Sequence, residues 1–255
     1  MKIIDSHCHI DNERYKESAE EIAEKSLKQG VKSMINVGYD LNSSRNAIKL
    51  SDKIPQLYAA VGIHPHDAKG ASGGYLNQLC EMMKNNKVVA IGEIGLDYHY
   101  NFSTPEVQKK VFKEQLKLAY ELKSPFIIHQ REAVEDTLDI IKKFPTPPKG
   151  AVFHCFSGSV ELAKELIKMG YYISLGGPVT FKNAKKPKKV AQEIDLEHLL
   201  VETDCPYLTP HPFRGKINYP YYVKYVVEEI ANIKKESPEN VAFQTLKNTE
   251  KLFGI

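Results

Sequence analysis

Eight short apolar runs, rich in β-branched residues and separated by longer amphipathic stretches, constrain this chain more than any other feature. They lie at Ile3–Ile4, Ser33–Val37, Leu57–Ile63, Val88–Ile94, Pro125–Ile128, Ala151–Phe153, Tyr171–Leu175 and Leu199–Val201. Each is too short for a helix. A continuous apolar run is what a strand buried on both faces requires, as in a parallel sheet. Parallel strands need crossovers, and the intervening segments carry helix signals. Residues 17–29 end at Gly30, suited to the left-handed turn after a helix. Thr104-Pro105-Glu106 and Ser237-Pro238-Glu239 each read as N-cap, first-turn proline and first-turn acid. Phe112, Leu116 and Ala119 form one stripe, and Val223, Val226, Val227 and Ile230 follow the spacing of a buried helix face. The 255 residues divide into units of about 32, which matches the ~250 residues of a (β/α)8 barrel. The expectation is one α/β domain over residues 1–255, a TIM-like (β/α)8 barrel. A doubly wound open sheet is the structural competitor.

No Ser/Gly-rich linker or low-complexity block divides the chain. Its longest apolar runs, such as Val88–Ile91, are too short to span a bilayer, and no membrane partner is expected. The start, Met1-Lys2-Ile3-Ile4-Asp5, lacks the apolar stretch of a signal peptide, so a cytoplasmic location is expected. Thirty-five Lys and Arg against 32 Asp and Glu give a net charge of +3, which neither demands nor excludes a phosphate-bearing substrate. The lysines at 182, 185, 186, 188 and 189 read as a solvated helix face. The four cysteines show no spacing of a structural zinc site. Cys8, Cys155 and Cys205 neighbour His7, His154 and Asp204, and strand alternation turns them the other way, into packing.

A barrel places its chemistry at the C-terminal ends of the strands. The histidines sort that way. His7 and His9 close the first strand, His64 and His66 follow the third, His129 closes the fifth and His154 the sixth. His99 and His211 fall in later loops, and only His198 precedes its strand. Two acids join them: Glu93 ends the fourth strand, and Asp204, with Glu202 on the same face, ends the eighth. One rim would hold His7, His9, Glu93, His129, His154 and Asp204. Four imidazoles and two carboxylates exceed one tetrahedral ion and suit two divalent ions that keep open positions. Taken singly, each residue has a plainer reading: a hydrogen-bonded core histidine, a buried ion-pair partner, a helix cap. The convergence from separate strands is what favours metal.

Longer motifs carry a resemblance. They are Asp5-Ser6-His7-Cys8-His9, Gly62-Ile63-His64-Pro65-His66, Gly92-Glu93-Ile94-Gly95-Leu96-Asp97-Tyr98, and Ile128-His129-Gln130-Arg131-Glu132-Ala133. His154-Cys155-Phe156-Ser157-Gly158-Ser159, Glu202-Thr203-Asp204-Cys205-Pro206-Tyr207-Leu208 and Arg214-Gly215-Lys216 complete the set. In this order, along essentially the whole chain, the sequence resembles the TatD family of metal-dependent deoxyribonucleases in the amidohydrolase-like superfamily. The resemblance implies a two-metal barrel hydrolase with 3′→5′ exonuclease activity on DNA, single strands or 3′ ends being the substrate. It implies that His7, His9 and Asp204 bind one ion, His129 and His154 the other, and that Glu93 bridges them. His64, Arg131 and Arg214 would hold substrate phosphate. The chain departs from the family pattern at Gln130 and at Ile217-Asn218-Tyr219-Pro220, which touches no expected ligand and bears on substrate contact.

Asp204 is the expected residue for orienting or deprotonating the attacking water. Glu202 is read either as fixing a ligand or moving protons, or as a structural acid of the barrel interior. Asp5 shares that ambiguity, and Asp97 reads as a loop cap. The fourth strand offers no inward lysine, so a carboxylate bridge is expected rather than a carbamylated lysine. Zinc or manganese should co-purify, with magnesium supporting activity. One rival reading is hydrolysis of an ester, amide or lactone, aminoacyl-tRNA included, since the same ions polarise a carbonyl. Another is a non-catalytic, metal-stabilised binding scaffold. Tyr98, Tyr207, Tyr219, Tyr221 and Tyr222 are candidates for base stacking, with packing expected for all but one or two. A monomer is expected.

Overall fold

A computed structural model describes residues 1–100 and 102–255. Eight parallel strands form one sheet in sequence order: β1 (Ile3–Cys8), β2 (Val31–Val37), β3 (Leu57–Val61), β4 (Val88–Asp97), β5 (Phe126–Arg131), β6 (Ala151–Phe153), β7 (Tyr171–Leu175) and β8 (Leu199–Val201). The crossovers carry α1 (Ala19–Lys28), α2 (Leu41–Lys53), α3 (Tyr75–Met82), α4 (Pro105–Glu121), α5 (Val134–Ile141), α6 (Val160–Lys168) and α7 (Lys185–Glu193). After β8 come α8 (Val223–Lys234) and α9 (Pro238–Phe253). The expected TIM-like barrel is the fold, and the open-sheet alternative falls away. Among the described residues no helix is long and apolar enough to cross a membrane.

Strand alternation divides the apolar side chains into two layers. Ile3, Met34, Ile91, Ile94, Phe126 and Ile128 face the helices. Ile35, Ala60, Ala90, Ile127, Val152 and Leu200 fill the barrel interior, and Leu252 and Phe253 at the end of α9 join them.

The seam between β8 and β1 closes differently from the other seven. Among the described residues one parallel bridge, Cys8 to Cys205, makes up its ladder. Side chains replace the rest. The Asp5 carboxylate accepts from the Thr203 N–H at 2.9 Å and its hydroxyl at 2.5 Å. Ser6 Oγ donates to the Val201 carbonyl at 3.0 Å. Asp5 is therefore the staple of the seam. At the top of the seam the Asp204 N–H donates to the His7 carbonyl, and the His9 N–H to the Cys205 carbonyl, both at 2.9 Å.

β4 breaks its own alternation, and the site depends on that break. Ile91 pairs with Phe126 and Ile94 with Ile128, so three steps on β4 match two on β5. The irregularity falls at Gly92 and Glu93. Regular alternation from the inward Ala90 would send Glu93 outward; one extra residue reverses the parity beyond it. Gly95 pairs with His129 in the new register, and Asp97 with Arg131. Gly95 has a φ of 145°, and a Cβ there would stand 1.9 Å from the His129 carbonyl oxygen. Only glycine lets β4 pass that close to the strand that carries His129.

Candidate metal centre

The rim of the barrel gathers the six expected ligand residues into one cluster. Glu93 is at its middle. Its Oε1 lies 2.7 Å from His129 Nδ1 and 2.6 Å from His154 Nε2, and its Oε2 lies 3.5 Å from His7 Nε2. His7 Nε2 and His9 Nε2 are 3.3 Å apart. Asp204 Oδ1 stands 3.8 Å from the first and 3.6 Å from the second. The donors thus fall into two groups, His7–His9–Asp204 and His129–His154, with one oxygen of Glu93 turned to each.

Outer hydrogen bonds fix which ring nitrogen faces inward. His9 Nδ1 donates to the Val37 carbonyl at 2.8 Å, which turns Nε2 toward the centre. His129 Nε2 pairs with Asp97 Oδ2 at 2.9 Å, which turns Nδ1 toward Glu93. His154 Nδ1 lies 3.3 Å from Glu202 Oε1, and the Cys155 N–H donates to the same oxygen at 2.7 Å. His7 has no such partner among the described residues: its buried Nδ1 is unpaired there, and its ring stacks on His154 at 4.0 Å.

His64 lies beside the cluster, with Nε2 3.6 Å from Glu93 Oε1. Proximity alone would make it a ligand together with Glu93 and His129. Its tautomer argues otherwise. His64 Nδ1 accepts the His66 backbone N–H at 3.1 Å, so the neutral ring points an N–H at the centre. A ring that offers a proton there suits an oxyanion better than a cation.

The donor set fits divalent metal. Two nitrogens bound to one tetrahedral zinc at 2.0–2.1 Å stand about 3.3 Å apart. The two histidine pairs have separations of 3.3 and 3.2 Å. The electrostatics agree. Burial pulls His9 down, yet the hydrogen bond and charge of Asp204, with Glu93 behind, raise it to about 9. Burial opposes the charge of His154 and His129 as well, and Glu93 foremost raises both. Glu93 itself is held well below the usual carboxylate range, against its burial, by His154, His64 and His129. Without metal the carboxylates favour protons on His9, His129 and His154, which binding an ion would release, whereas burial and the neighbouring His154 push His7 down.

Asp97 is the residue that sequence reasoning undervalued. It does cap its loop: Oδ1 accepts the backbone N–H groups of His99 and Tyr100 at 3.0 and 3.1 Å. Its Oδ2 also holds His129, with His66 Nε2 3.1 Å away. The signal was present, since Glu93 and Asp97 are four apart on one strand and share a face. Replacing Asp97 by asparagine should weaken metal binding about 10- to 100-fold, the usual cost of losing an outer partner of a ligand histidine. Titration of stripped protein with a competing chelator would measure this; wild-type affinity would reduce Asp97 to a loop cap.

Glu202 falls on its expected face with Oε1 engaged and a buried Oε2 left unpaired. Arg131 and Arg214 are exposed. Arg131 lies over the Tyr100 ring at 5.0 Å, and Arg214 over Phe181 at 3.7 Å beside a cleft of about 490 Å³. Among the described residues no hydrogen bond or ion pair joins either arginine to the cluster. Gln130, one of the departures, turns its amide oxygen to the Ala133 and Val134 N–H groups at 3.1 and 3.2 Å and caps α5. Tyr219, another, stacks on Tyr221 at 5.0 Å and packs against Tyr15. Of the five candidate stacking tyrosines only Tyr207 is exposed. Cys8 and Cys205 are buried as expected, whereas Cys155 is half-buried.

The chain is similar to known proteins in sequence and in fold. A family model described as TatD related DNase matches residues 4–254. YabD of Bacillus subtilis, an uncharacterized metal-dependent hydrolase, is 46% identical over 253 residues, covering 99% of both chains. The crystal structure of YJJV, a TatD homolog from Escherichia coli, has a TM-score of 0.93 at 32% identity, over 99% of this chain and 98% of that one. A variant of organophosphorus hydrolase from Deinococcus radiodurans reaches a TM-score of 0.68 at 14% identity, over 99% and 93%, a likeness of fold alone.

Proposed function

This chain belongs to the TatD family of metal-dependent hydrolases, and from its site we propose a deoxyribonuclease that removes nucleotides from the 3′ end of single-stranded DNA. The observation that carries the reading is the position of Glu93, with one oxygen against His129 and His154 and the other toward His7. A single carboxylate that serves two donor groups suits two divalent ions held side by side. His7, His9 and Asp204 would hold one, His129 and His154 the other, with zinc or manganese favoured by the imidazoles. Ions bound there supply Lewis acidity toward a phosphoryl oxygen and make water a stronger acid.

The chain's own groups do the remaining work. Asp204 is the most open carboxylate of the centre, its side chain 15% exposed against 5% for Glu93, and it orients the attacking water and takes its proton. His64 donates its Nε2–H to a phosphate oxygen. Asp97 and Glu202 keep His129 and His154 in the ligating tautomer. Arg131 and Arg214 hold phosphates farther along the strand. DNA as the substrate also rests on the DNase description of the family model.

The test is cleavage of 3′- and 5′-labelled single-stranded DNA by stripped protein, with Mg²⁺, Mn²⁺ or Zn²⁺ restored. Stepwise shortening from the 3′ end, metal-dependent and absent in His154→Ala, is expected. Metal uptake without cleavage of DNA would keep the centre, remove the nuclease reading, and turn attention to ester and amide substrates.

A further inference from the structure

Among the described residues five aromatic side chains are exposed: Tyr39, Tyr100, Phe102, Tyr207 and Phe243. Four of them lie in loops at the C-terminal ends of the strands, around the metal centre; only Phe243 is elsewhere, on α9. Tyr100 and Phe102 face each other ring to ring. Their rings are stacked within 6° at 5.4 Å, and they are 43% and 55% exposed.

Such exposure costs hydrophobic free energy, and the surroundings hold the pair there. Asp97 accepts the Tyr100 N–H. The buried Ser103 donates to the His66 carbonyl at 2.9 Å. The buried Gln108 spans the two flanks, donating to the Asp97 and Ser103 carbonyls at 2.9 and 2.8 Å. The His66 ring stands edge-on to both aromatics, 5.5 Å from Tyr100 and 5.0 Å from Phe102. It is 6.3 Å from the ring of His129. The platform is therefore two ring contacts from an expected metal ligand, tied through Asp97 to the same residue that orients that ligand. Arg131 supplies a guanidinium over the Tyr100 ring, 5.0 Å from its centroid.

We infer that Tyr100 and Phe102 form a base-stacking platform that seats a nucleobase next to the bond cut at the metal centre. The occupant must belong to the molecule being cleaved, because the platform shares the lip of the centre. A planar base matches two parallel exposed rings, and Arg131 beside them matches the phosphate that accompanies a base. Stacking exposes the base face only when the strand is single, so the platform would select single strands and frayed ends. The inference deepens the nuclease reading and rests on it.

A single-stranded oligonucleotide with 2-aminopurine near its 3′ end provides the test, since stacking on an aromatic ring quenches its fluorescence. Wild type should quench it and degrade the DNA. Tyr100→Ala with Phe102→Ala should lose the quench and raise KM about 10- to 100-fold, with kcat within about threefold. An abasic residue in place of the base should cost wild type the same factor and the double variant nothing. Phe243→Ala should behave as wild type. Methyl p-nitrophenyl phosphate, a phosphodiester without a base, should be cleaved equally by all three. Wild-type quench and KM in the double variant would overturn the platform alone. A wild type that cleaves the small phosphodiester but neither binds nor cuts DNA would overturn the nuclease reading, and the platform with it.

Discussion

Glu93→Gln should lose hydrolysis by about three orders of magnitude or more, roughly 4 kcal/mol of transition-state stabilisation, with bound metal falling well below the wild-type content. Glu93 reaches both donor groups, at 2.7 and 2.6 Å on one oxygen and 3.5 Å on the other. The amide keeps the volume and one acceptor but loses the charge. It also points an N–H₂ at nitrogens or cations that a carboxylate had satisfied from both sides. Neutral glutamine leaves His154 and His129 without the partner that chiefly raises them. Two readouts separate the site from the fold. Metal content by mass spectrometry should drop, while the far-UV circular dichroism of the stripped variant should overlay the wild type. Full metal content with undiminished turnover would remove Glu93 from the bridging role and break the two-ion reading.

The barrel was legible because its signal is repeated. Each short apolar run followed by an amphipathic stretch repeats the same information, and a misplaced boundary in one unit, such as β3 ending at Val61 rather than Ile63, leaves the rest intact. The cluster at the rim was legible for a related reason. Strand-end histidines from four different strands converge only if the sheet closes in sequence order. Glu93 was found by its position at a strand end, while the bulge that actually turns it inward was not visible. Gly92 and Gly95 mark it in retrospect: a Cβ on the first would meet Ile127 at 2.7 Å, and on the second the His129 carbonyl. What periodicity misses is any residue whose role is set by a contact distant in sequence. Asp5 gave no sign that it staples β1 to Thr203. Asp97 was read from its loop and not from His129, 32 residues away. The protonated face of His64 follows from one backbone hydrogen bond in the turn after it.

Asp204→Asn is expected to separate holding metal from using it. Asp204 takes a left-handed backbone with φ of 53°, which Asp and Asn tolerate better than most residues. Its N–H is committed to the His7 carbonyl. The substitution therefore preserves the turn and leaves an amide oxygen in place of the carboxylate oxygen, 3.6 Å from His9 Nε2. Burial pushes the Asp204 carboxyl up, but the hydrogen bond of His9 and the charges of His7 and His154 hold it below the usual range, so it is ionised at neutral pH. An ionised, partly open carboxylate can accept a proton from water; an amide cannot. Turnover should fall about 10²- to 10⁴-fold, the span that positioned acid–base groups contribute. Metal content should fall far less than turnover, because the amide oxygen still offers a neutral donor and the other five donors are untouched. Loss of one ion in step with activity would leave Asp204 as a metal ligand and take the proton-accepting role from it. Near-normal turnover with both ions bound would pass the proton to another group, and Glu202, with its buried and unpaired Oε2, would be the next carboxylate to substitute.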